Sequence, residues 1–133
     1  MKKTYKPYSF ETVGKAGEVY VRIYESMLVS PAFIDLTPKQ QVLYIICKRQ
    51  FYGRRKPEFD FPDITEFKGH TFYLSISEAA RYGVYSSINH RRFYADMMVL
   101  ENHGFIEKVS SGKNRHAKNV YRFSEHWKEW KPV

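Results

Sequence analysis

The side chains of this sequence that are capable of chemistry mostly lack the spacing that chemistry requires. Five histidines, at positions 70, 90, 103, 116 and 126, show no metal-ligand spacing, and the single cysteine, Cys47, cannot make a zinc ribbon. No metal or other cofactor is expected. Asp60, Asp63 and Glu66 cluster in a proline-containing stretch, which is the pattern of a solvated face rather than of an acid/base pair. There is no glycine-rich loop to cradle a phosphate, and no serine or cysteine nucleophile has a convincing base. The sequence reads as that of a protein that binds, not as an enzyme.

What remains is positive charge. Lysine and arginine total 22 against 14 acids, a net charge of +8 on 133 residues, and this excess points to a polyanionic partner. Residues 48–57 hold Lys48, Arg49, Arg54, Arg55 and Lys56 with no acid, whereas residues 58–78 hold Glu58, Asp60, Asp63, Glu66 and Glu78 against Lys68 alone. Residues 105–123 are basic again, with Lys108, Lys113, Arg115, Lys118 and Arg122 against Glu107. Lys113, Arg115, His116 and Lys118 crowd one short loop, where mutual repulsion opposes folding unless a phosphate backbone offsets it. Arg91 and Arg92 are the best candidates for base contact, because arginine can bond guanine through two donors at once. Ser87, Asn89, His90 and Tyr94 are weaker ones: the first two suit helix caps, and the others suit the flank of a core.

The elements that must position these residues follow from hydrophobic period and capping. The chain fits one domain, with residues 1–17 as a loosely ordered arm and residues 18–133 as the folded unit. Val19, Val21 and Ile23 alternate with Tyr20, Arg22 and Tyr24, predicting a strand that leads into a helical turn at 25–29, which Pro31 breaks. Thr37 and Pro38 open a helix whose apolar face runs through Phe51, with Cys47 as a core residue in a reducing compartment. Residues 54–69, with Pro57, Pro62, Phe59, Phe61 and Phe67, form a long connection pinned to the core by its aromatics. Phe72, Leu74 and Ile76 alternate with Tyr73 and Ser75 as a short strand, and Ser75 to Glu78 matches a capping box opening a helix over 76–82. A longer helix follows from about Ser87 to Asn102, with Phe93, Met97 and Leu100 on one face, Arg91, Ala95, Met98 and Asn102 on the other, and Gly104 as its stop. Residues 105–109 and 119–123 pair as a hairpin with a basic tip, and residues 124–130 close the fold as a short helix.

Helix, strand, short helix, turn, longer helix and hairpin is the order of an α+β winged helix-turn-helix domain: helices with a small antiparallel sheet and a β-hairpin wing. The segment LSISEAARYGVYSSINHRRFYADMMVLENHGFIEKV resembles the winged-helix domains of plasmid and phage replication-initiator proteins, and of accessory proteins from conjugative elements of Gram-positive bacteria. The resemblance extends over roughly residues 20–123. It implies that the helix from about Ser87 is a recognition helix and that residues 108–122 are a wing. The expected partner is therefore double-stranded DNA, in replication initiation, conjugative transfer or transcriptional control of a mobile element. Two features depart from the pattern: a long turn over 83–89 and the connection over 54–69.

Two other readings stand beside it. A protein-interaction module would use the aromatic surplus, with Phe59, Phe61 or Trp130 as its sensitive positions; a homodimer contact through Trp127 and Trp130, or a partner protein from the same element, belongs to this reading. Binding of RNA or single strands would use Tyr94 as a stacking platform. No apolar run approaches the roughly 18 residues of a membrane span, and the basic start has no apolar stretch behind it, so the expected location is the cytoplasm.

Overall fold

The computed structural model describes residues 6–53, 56–67, 69–110 and 119–132. In chain order the elements are α1 (Glu25–Leu28), α2 (Pro31–Asp35), α3 (Pro38–Phe51), α4 (Pro57–Asp60), β1 (Thr71–Tyr73), α5 (Ile76–Ala80), α6 (His90–Asn102), β2 (Ile106–Ser110) and β3 (Val120–Phe123), with 3-10 turns at Thr65–Phe67 and His126–Glu129. The fold is α+β. Its sheet is antiparallel in the order β1-β3-β2, so the last strand lies between the other two.

Local chemistry sets several helix ends. Thr37 Oγ1 accepts from the Gln40 amide at 3.2 Å while Gln40 Oε1 accepts from the Thr37 amide at 3.0 Å, closing a capping box over α3 with Pro38 in the first helical position. Ser75 and Glu78 close the same box over α5. α6 ends in a Schellman motif: the Gly104 N–H donates to the Glu101 carbonyl and the Phe105 N–H to the Leu100 carbonyl, both at 3.0 Å. Gly104 has φ +84°, and a Cβ there would lie 2.5 Å from the Trp127 nitrogen, so only glycine fits.

The core has two parts, one on each face of the sheet. On one face Phe72, Ile106 and Tyr121 meet Leu43, Tyr44, Ile46 and Cys47 of α3 and Phe93, Met97 and Leu100 of α6. Phe72 stacks on Tyr121 at 5.8 Å and on Phe123 at 4.7 Å. On the other face Tyr73 and Val120 meet Phe67, with Phe61, Ile64 and Val109 alongside.

Several expectations need correction. Residues 18–24 form no strand, although Val19, Val21 and Ile23 are the less exposed members of the alternation; the period is present, but no neighbouring strand pairs with it. Pro31 does hold Ser30 extended, at ψ 145°, yet it also opens α2, with Ser30 Oγ accepting from the Phe33 amide. The strand expected through Ile76 spans Thr71–Tyr73, and Tyr73 is buried rather than exposed, because the connection folds back over its face of the sheet. Phe61 and Phe67 pin that connection as expected, whereas Phe59 is 68% exposed. α5 ends at Ala80, short of Tyr82. The long helix begins at His90, not near Ser87. The closing element is a 3-10 turn, with Trp127 and Trp130 packed on the core.

Candidate nucleic-acid interface

α6 positions the central candidates. Its inward stripe is Phe93, Asp96, Met97 and Leu100, and this anchors the helix so that His90, Arg91, Arg92, Tyr94, Ala95 and Met98 are exposed. The helical wheel puts Arg91, Ala95 and Met98 in one row, and Arg92 on the flank that carries Tyr85. Among the described residues neither arginine has an ion-pair partner. His90 and Tyr94, one turn apart, place their rings 6.3 Å apart.

Asp96 is the unexpected member of the inward stripe. It is 7% exposed, and both its oxygens are bonded: the Tyr85 hydroxyl donates to Oδ2 at 2.6 Å and Gln40 Nε2 donates to Oδ1 at 3.0 Å. Gln40 is aimed by its own capping bond to Thr37, so the start of α3, the α5–α6 turn and the middle of α6 are tied through one carboxylate. Burial, then the bond to Asp96, pushes the Tyr85 phenol well above its ordinary range. Lys39 Nζ lies over the Tyr85 ring, 4.8 Å from its centroid, which adds a cation to the Arg92 flank. The Thr37-x-x-Gln40 signature announces the cap; nothing in the sequence announces that the same glutamine holds an aspartate 56 residues away.

Lys108 is exposed on β2, beside the other end of α6. It pairs in register with Tyr121, on the sheet face that carries the helices, and its backbone N–H donates to Glu101 Oε1 at 2.9 Å. About 15 Å of helix axis separates Arg91 from Glu101. The ladder slips one residue at Val109 before the strand ends, a bulge of the kind that redirects a hairpin. Lys113, Arg115, His116 and Lys118 lie outside the described residues.

The remaining candidates are placed less favourably. Ser87 is exposed in the turn, three residues before α6, and Asn89 occupies the N-cap position without making a capping bond; in neither case does the structure bear out the cap. Two of the described cations of residues 48–57, Lys48 and Lys56, are turned inward: Lys48 Nζ donates to the Arg22 carbonyl at 3.1 Å and Lys56 Nζ to the Phe51 carbonyl at 2.8 Å, over the Phe51 ring. Burial, then the Arg22 charge, lowers the Lys48 pKa. Carbonyls and rings engage these lysines, not the acidic stretch that follows them. Arg122 is likewise engaged, with Glu107 at 3.1 Å and the Glu66 carbonyl. The acidic Asp60 accepts from the Tyr73 hydroxyl at 2.9 Å.

Among the described residues no three His, Cys, Asp or Glu side chains gather to hold a metal ion, and no helix is long and apolar enough to cross a membrane. Comparison with protein-family models, with curated proteins and with solved structures gives no match.

Proposed function

We propose that this chain binds double-stranded DNA as a winged helix, with α6 in the major groove and the β2–β3 hairpin as the wing. The supporting observation is the exposed face of α6, with Arg91 and Arg92 at its start and Lys108 beside its far end on the same side of the sheet. An α-helix matches the width of the major groove, and the first turns of a recognition helix are the ones that reach base edges. The element order, with β3 between β1 and β2, agrees with this reading. On the sequence resemblance, the process served is replication initiation, conjugative transfer or transcriptional control of a mobile element.

In this reading Arg91 reads bases, Arg92 and Lys39 add charge on one flank, and Lys108 with Lys113, Arg115 and Lys118 holds the phosphate backbone. About six phosphate contacts give a slope near −5 for log affinity against log salt. Binding of Arg91→Ala and Lys113→Ala to a panel of duplexes across salt concentrations tests it. Arg91→Ala should cost about 1–3 kcal/mol and relax preference at one base pair, while Lys113→Ala should weaken all sequences alike. Equal losses on every duplex for Arg91→Ala would remove its base-reading role. If Arg115→Ala is instead the variant that relaxes preference, the wing carries the sequence choice.

The protein-interaction reading is favoured by exposed apolar side chains that match the expected ones only in part. Phe61 and Trp130 are largely committed to the core, whereas Phe59 is exposed, and so, separately, are Leu28, Val29 and Ile34 of the α1–α2 region. Weak binding to every duplex, with wild-type behaviour of Arg91→Ala, would favour it.

A further inference from the structure

An apolar residue just before a helix N-cap usually folds onto the fourth helical residue, a hydrophobic staple that fixes how the chain enters the helix. α6 has both residues, Ile88 before Asn89 and Phe93 in the fourth position, yet they do not meet in that way. Phe93 is fully buried with the Tyr85 ring edge-on against it at 5.6 Å, and Ile88 is left 86% exposed. The turn that presents Ile88 is hydrogen-bonded. Ser86 Oγ accepts from the Ile88 amide at 3.2 Å, the Ser86 carbonyl from the Asn89 amide at 3.3 Å, and the Ile88 carbonyl from the His90 amide at 3.2 Å. A branched apolar side chain is thereby held in water at the end of α6 that carries His90, Arg91 and Arg92. Among the described residues it is not part of either core cluster.

We infer that Ile88 is a specificity determinant that contacts the C5 methyl group of a thymine in the major groove. This inference rests on the duplex-binding reading above. Of the four bases, only thymine presents an apolar group on its major-groove edge, and apolar side chains are its natural contacts. A recognition helix places its N-terminal residues nearest the base edges, where Ile88 stands one residue ahead of the cap. The charge around it selects the occupant: the two arginines that follow, in a chain of net charge +8, suit a polyanion.

The test uses the full chain. Selection from a random duplex pool identifies the preferred site, and each thymine in it is then replaced singly by deoxyuridine, which removes only the methyl group. One such replacement should weaken wild-type binding about fourfold, the value of one buried methyl-sized group. Ile88→Ala should lose a similar factor on the thymine duplex and be indifferent to that replacement, while keeping the wild-type melting temperature. If wild type tolerates every replacement, or if Ile88→Ala remains as sensitive as wild type, the inference falls while duplex binding stands. If no duplex is selected at all, both fall together.

Discussion

Replacing Tyr85 by phenylalanine removes one oxygen atom and leaves a buried carboxylate short of a donor. Asp96 Oδ2 accepts only from that hydroxyl among the described residues, at 2.6 Å, and its other oxygen is already bonded to Gln40 at 3.0 Å. Tyr85 and Asp96 are both nearly excluded from water, so solvent cannot easily replace the lost bond. A hydrogen bond to a charged group contributes about 1.5–3 kcal/mol, and Tyr85→Phe should cost that much stability. For a chain of this size the loss should lower the melting temperature by about 5–10 °C. The edge-on packing of ring 85 on Phe93 is untouched, which separates the polar contribution from packing. Asp96→Asn should also destabilise, because an amide cannot accept through both positions while Tyr85 and Gln40 both donate. Tyr85→Phe and Asp96→Asn together should cost less than their sum by at least about 1 kcal/mol, since each removes part of the same interaction. Urea denaturation of the four proteins measures this. Additive losses, or a Tyr85→Phe protein as stable as wild type, would refute the claim that one carboxylate ties α3, the turn and α6.

Three further outcomes follow from the geometry. Gly104→Ala combines φ +84° with a Cβ 2.5 Å from the Trp127 nitrogen, and should cost more than about 2 kcal/mol; Gly83→Ala, at φ +78° with nothing within 4 Å, should cost about 1 kcal/mol, and thermal melts compare the two. Burial raises the pKa of Tyr44, Cys47, Tyr85 and Tyr121, so each keeps its proton in the folded state while the unfolded chain ionises from about pH 9–10 upward. These four groups should therefore lower stability by about 4 kcal/mol between pH 8 and pH 10.5, which denaturation at the two pH values reads. Lys56→Met should leave the salt dependence of DNA binding unchanged, since Lys56 is engaged with the Phe51 carbonyl and ring, whereas Lys108→Ala should reduce the slope by about 0.9 in a salt titration.

Features that depend on a few neighbouring residues were legible from the amino-acid sequence. The caps at Thr37 and Ser75, the stop at Gly104 and the division of α6 into a Phe93–Met97–Leu100 face and an Arg91–Ala95–Met98 face all arise within one or two helical turns, where a side chain competes for nearby amides or follows a fixed period. The hairpin of β2 with β3 was legible because two apolar-patterned runs flank one polar, glycine-containing stretch. Where partners lie far apart in the chain, only the tertiary structure decided. The alternation over 18–24 is that of a strand, but a strand needs a neighbour to accept its hydrogen bonds, and none pairs with it. Tyr73 reads as solvent-facing until residues 56–67 cover its side of the sheet. Lys48 and Lys56 read only as members of a basic block until carbonyls and rings engage them, and nothing near Asp96 in the chain announces that Tyr85 and Gln40 enclose it. Charge and period are properties of the chain, whereas which charges meet solvent depends on which segments fold over them.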